Sequence, residues 1–187
     1  MANRAFLVGS LAALWMGAAA ADAPLLRPSR DVDVTYRAAA RGGQEVEQRV
    51  RWLSAAQLMR IDPPSPGLHV IIDYLARRMS VVRDQTRSVI EMAAPDNVAD
   101  MLGGKATSGF VRVGEATVAG CSCTEWRTMD REARPVLVCF TADGVLLRAG
   151  TADQVRVRAI SVQYTPQDPA MFRVPADYAR HSPQDLR

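Results

Sequence analysis

From residue 31 onward, apolar and polar residues alternate in short runs whose period is that of a strand. Val32, Val34 and Tyr36 alternate with Asp31, Asp33 and Thr35. Val46, Gln48, Val50 and Trp52 alternate with Glu45, Glu47, Arg49 and Arg51, which makes this stretch the clearest amphipathic strand in the chain. Gly42-Gly43 between the two runs is a hairpin signal. A short strand over residues 58–61 is stopped by Asp62-Pro63-Pro64-Ser65-Pro66-Gly67, a sequence that suits only a turn or loop. Residues 69–74, 79–82 and 88–92 continue the pattern, with Leu75-Ala76-Arg77-Arg78 as a turn. Residues 110–113, 116–118, 121–128, 135–140, 145–148 and 155–164 complete the series, and Ala142-Asp143-Gly144 reads as a tight turn of the Asp-Gly type.

One segment breaks the strand rhythm. Val98, Met101 and Leu102, with Asp96 or Asn97 to cap the start and Gly103 the end, predict a helix of two or three turns over residues 96–102. Closely spaced strands with no helix-length crossovers disfavour a parallel βαβ fold and predict a mainly β domain: a sheet that curls, a barrel or a sandwich. Residues 179–187 are polar and read as a flexible C-terminal tail.

The chain start has a different grammar. Arg4 is followed by an apolar run from Ala5 to Met16 and then by small residues, Gly17 to Ala21. Charge, apolar core and small-residue zone are the order of a cleavable secretory signal. A spanning helix needs about 20 apolar residues, and this run is shorter. The expected division is therefore a signal peptide over 1–21, a leader over 22–30 and a single β-rich domain over 31–178. The mature chain is expected to be periplasmic, with no transmembrane span. No cysteine lies near the cleavage zone, which argues against a lipid-anchored lipoprotein.

Charge excludes more than it suggests. The net charge is only +3, Lys105 is the single lysine, and no basic run carries interleaved aromatics, so nucleic acid is not an expected partner. Only His69 and His181 are available for acid–base work. The first sits in an apolar strand and the second in the polar tail, both bland positions. No nucleophile elbow, His-Glu-x-x-His or Cys-x-x-Cys motif is present. The reading is a non-enzymatic protein with no metal site and no cofactor.

The cysteines carry more information. Cys121 and Cys123 are two residues apart and face the same side of a strand, and Cys139 lies on the next apolar run. A hairpin turning at Asp130 to Glu132 sets Cys123 across from Cys139. In an oxidising compartment those two are expected to bridge, leaving Cys121 as a thiol. Cys121–Cys139 has the same parity and competes. Trp52, Tyr74, Trp126, Met59, Met79, Met92 and Met101 are the candidates to line an apolar groove on a curved sheet, because flexible methionines suit varied apolar ligands. The competing reading is ordinary core.

Several blocks together resemble a known architecture. They are Met59-Arg60-Ile61-Asp62, Ile71-Ile72-Asp73-Tyr74, the glycine-cysteine strand within residues 114–126, Thr141 to Leu147, and Phe172-Arg173-Val174-Pro175-Ala176-Asp177-Tyr178. Their order and the Phe-x-Val-Pro-x-x-Tyr ending resemble an uncharacterised bacterial periplasmic family of the LolA/LolB-like lipoprotein-carrier architecture. The resemblance implies a strongly curved antiparallel sheet, an incomplete barrel, with one or two short helices plugging its concave side. It also implies a binding or carrier-type module for an apolar ligand, a lipid or lipoprotein acyl chain. The alternative is a structural or protein-interaction accessory domain of the envelope, with a filled core and no small ligand.

Overall fold

The computed structural model describes residues 23–39, 43–95, 109–130, 133–151 and 153–186. Twelve strands form one sheet: β1 (Val32–Ala39), β2 (Glu45–Leu53), β3 (Leu58–Asp62), β4 (Leu68–Asp73), β5 (Arg78–Arg83), β6 (Ser88–Ala93), β7 (Val111–Val118), β8 (Cys121–Met129), β9 (Pro135–Phe140), β10 (Leu146–Gly150), β11 (Val155–Gln163) and β12 (Ala179–His181). Their spatial order is β12-β6-β5-β4-β3-β2-β1-β11-β10-β9-β8-β7, an open, curved sheet. Two antiparallel meanders, β1 to β6 and β7 to β11, are thus zipped together at the centre by β1 against β11. The mainly β, curved-sheet expectation holds, and the only helical pieces among the described residues are single 3-10 turns. The helix expected over 96–102, Met101 included, lies outside the described residues, as does the segment read as a signal peptide.

Alternation dictates the two faces. Val32, Val34 and Tyr36 of β1, Val50 and Trp52 of β2, Met59 and Ile61 of β3, and Ile72 of β4 share one side, in register across the four strands. Most of them are nearly inaccessible: Trp52 is 1% exposed and Ile72 0%. Burial at this level contributes about 1.5–3 kcal/mol per large side chain, which fixes the register because a one-residue slip would turn each of them to the other side. That other side is salt-bridged. Arg49 donates to both Asp33 oxygens at 2.8 and 2.9 Å, Arg51 bridges Asp33 and Asp62, and Arg60 grips Asp62 at 2.8 Å.

Three sequence expectations change in detail. The runs 110–113 and 116–118 are one strand, β7, interrupted by a register shift at Arg112/Gly114. The hairpin between β8 and β9 pairs Glu125, not Cys123, with Cys139. The tail beyond Tyr178 is not loose: residues 179–181 pair in parallel with β6. The segment leading there is anchored along the way. Gln167 N–H donates to Asp31, Arg60 donates to the Met171 carbonyl at 2.7 Å, Phe172 is buried, Arg87 pairs with Asp177, and Tyr178 donates its hydroxyl to Asp84.

Candidate functional site

The apolar face of β1 to β4 does not close on itself. It walls a cavity of 340 Å³ whose lining includes Val34, Tyr36, Val50, Trp52, Met59 and Ile61. Polar chemistry in the wall is sparse. Gln48 contributes an amide, and the Trp52 indole N–H donates to no protein atom among the described residues. The Tyr36 hydroxyl is occupied, donating to the Leu146 carbonyl at 2.7 Å, and its burial raises its pKa well above the ordinary phenol value.

One end of the cavity is formed by the leader and the β9–β10 turn. Pro28 lines the space beside Gly144, Val145 and Leu146. Ser29 N–H donates to the Asp143 carbonyl at 2.9 Å, and Arg30 reaches the Asp143 carboxylate at 2.6 Å while stacking 3.6 Å over the Tyr164 ring. Arg27 lies 4.6 Å above the Tyr74 ring, whose centroid is 5.6 Å from that of Trp52. Burial pushes the Asp143 carboxyl upward, but hydrogen bonds from Thr141, Arg30 and Tyr164 outweigh it and hold the group below its usual value. Asp31 is alike: burial opposes ionisation, and hydrogen bonds from Gln167 and Ser54 win. Residues 23–31, featureless as sequence, are therefore a strap tied down by two carboxylates. The Asp143-Gly144 turn was legible; its tie to Arg30 was not, because the two are 113 residues apart.

Six of the seven groove candidates lie among the described residues, and they scatter. Trp52 and Met59 line the cavity. Tyr74 belongs to the same apolar cluster and Met79 packs against it. Met92 is half-buried on β6. Trp126 lies in a smaller cluster with Val138, Phe140, Leu146 and Ala149, edge-on to Phe110 at 6.3 Å. Val111 and Val113, on edge strand β7, are exposed instead.

Cys123 and Cys139 form a disulfide with Cα atoms 5.5 Å apart, and Cys121 is free. Because Glu125 is the residue directly opposite Cys139, the bridge runs diagonally, two residues along β8. His69 faces the salt-bridged side, with Nδ1 3.7 Å from Asp84. Burial and then the Arg60 charge hold its pKa below the ordinary value, against opposing contributions from Asp84 and Asp62. No helix among the described residues is long and apolar enough to cross a membrane.

No protein-family model matches the chain, and no curated protein is significantly similar to it. Solved structures do share its fold. An uncharacterised conserved protein from Thermus thermophilus superposes with a TM-score of 0.58 at 16% identity, over 82% of this chain and 91% of that one. MucB superposes with a TM-score of 0.50 at 12% identity, over 82% of this chain and 60% of MucB. A chain from the Pseudomonas aeruginosa MucA/MucB complex gives 0.51 at 13%, over 79% of this chain and 56% of its own length. This chain thus spans little more than half of the MucB structures it matches. At these identities the likeness is one of fold.

Proposed function

We propose that this protein is an exported, non-enzymatic module of the bacterial envelope that works by binding another protein. The observation that carries the reading is the sheet shared with MucB, a protein whose structure is known as a complex with MucA. Three features support it. The N-terminal sequence has the order of a secretory signal. A disulfide joins β8 to β9, as suits an oxidising compartment. The chain carries no recognisable catalytic motif. The test is chemical cross-linking of the full-length protein in its own envelope, followed by mass spectrometry. A discrete hetero-complex with a second envelope protein is expected. A monomer at every cross-linker concentration would overturn the reading.

The cavity favours a second reading, a carrier for a lipid or acyl chain in the manner of the LolA/LolB-like architecture. Its walls are almost wholly apolar, and Gln48 and the Trp52 N–H could receive one polar group. Native mass spectrometry of periplasm-purified protein decides this one. Bound lipid, lost on Val50→Trp, supports it; apo protein that takes up no fatty-acid probe sinks it.

A further inference from the structure

A row of arginines crosses the middle of the sheet. Arg148 on β10 is directly opposite Arg158 on β11, and Arg158 is directly opposite Arg37 on β1. Like charges in directly opposed positions on neighbouring strands are destabilising. The two ends of the row are relieved: Arg148 pairs with Glu125 on β8, and Arg37 with Glu47 at 3.0 Å and Glu45 at 3.6 Å. The centre is not. Arg158 and its neighbour Arg156 are exposed and have no acidic partner among the described residues. They line a groove of 440 Å³ together with Arg37 and one carboxylate, Glu45. Val155, 50% exposed, and Ile160, 38% exposed, lie in the same groove on either side of the arginine pair along β11.

We propose that this groove is a docking surface for an extended acidic segment of a partner protein, carrying carboxylates to Arg156 and Arg158 and apolar side chains to Val155 and Ile160. The chemistry follows from the spacing. Arg156 and Arg158 are two residues apart on one strand, about 7 Å. An extended peptide repeats same-side side chains at that same interval, so alternate carboxylates meet successive guanidinium forks, which bind them bidentately. The exposed valine and isoleucine distinguish the occupant from a sulfated or phosphorylated glycan, which has no apolar side chains to cover them. Glu45 in the wall also repels a dense polyanion. The inference rests on the protein-binding reading above and names where that binding occurs.

The test uses the full mature chain and a short fluorescein-labelled peptide of pattern Val-Ser-Glu-Ser-Glu-Ser-Val, whose glutamates and flanking valines share one side when extended, with the same peptide carrying lysine in place of glutamate, and heparin, as comparisons. Fluorescence anisotropy should show saturable binding of the glutamate peptide, weakening as salt rises, and none of the lysine peptide. Arg158→Glu and Arg156→Glu should each weaken it about tenfold or more, as expected for loss of a charge-assisted pair, and Ile160→Ser should weaken it less. Arg158→Gln removes the charge without adding repulsion and controls for misfolding, together with an unchanged circular dichroism spectrum. Binding that ignores these substitutions overturns the proposal. So does arginine-dependent heparin binding with no binding of the glutamate peptide. If the doubly reversed variant still cross-links to its envelope partner, this groove is not the seat although the protein-binding reading survives. Absence of any partner for the wild type strikes that reading instead.

Discussion

At Gly144 two separate constraints meet. Its φ of +88° lies where side chains are strained, and a Cβ would stand 2.3 Å from the Arg27 carbonyl oxygen. Gly144→Ala should therefore push the strap off the turn and lower stability by at least about 2 kcal/mol, measured by urea titration, whereas Gly43→Ala, with nothing near its Cβ position, should cost less. His69 gives a pH signature. Its folded pKa is depressed from 6.5, so the unfolded chain takes up the proton first. The stability that neutral His69 contributes is complete above that value and declines as pH falls through it toward the folded pKa. Asp62, Asp143 and Asp31, all lowered from 3.8, add a second loss at lower pH. Melting curves should show both descents, and His69→Gln should remove only the first. The cysteine pair was readable because parity survives an error in the hairpin centre. The exact partner of Cys139 was not, since it depended on how many residues the turn consumes.

Elements differ in how openly they declare themselves. β2 is written in its alternation, and its salt-bridged side follows from Arg49 and Arg51 standing between apolar neighbours. β7 looked like two strands because Val113 is an extra residue that shifts the register between Arg112 and Gly114 and breaks the period. β12 could not be read at all: Ala-Arg-His has no strand pattern, and long-range anchors at Asp84, Arg87 and Glu91 hold it beside β6. Truncation after Tyr178 should consequently strip the hydrogen-exchange protection that β12 gives its neighbour, leaving the centre of the sheet unchanged. The disulfide acts on the scale of one hairpin. Cys123→Ser with Cys139→Ser opens a link of sequence separation 16, at a cost of about 3 kcal/mol in the chain-entropy model. Denaturant unfolding with and without reductant measures it. An equal loss in both conditions would show that the bond contributes nothing.

Across the whole molecule, each meander depends on the other. β11 lies between β1 and β10, and the chain after it crosses the salt-bridged face of the first meander to reach β6. Trp52 reports the first meander and Trp126 the second, so Trp52→Phe and Trp126→Phe variants separate the two signals. Their urea midpoints, each corrected for the substitution by circular dichroism, should coincide in a single transition. Two resolved transitions would mean that the halves unfold independently. The β1–β11 contact also has a temporal side. A chain that emerges from its amino end presents β1 long before the strand that covers it exists. Until Val155–Gln163 arrives, one hydrogen-bonding edge in the eventual middle of the sheet stays open. Prematurely ended copies would therefore carry a bare, sticky edge where the finished protein has its seam. Completion of the polypeptide is thereby written into the topology as a condition for becoming inert toward neighbours.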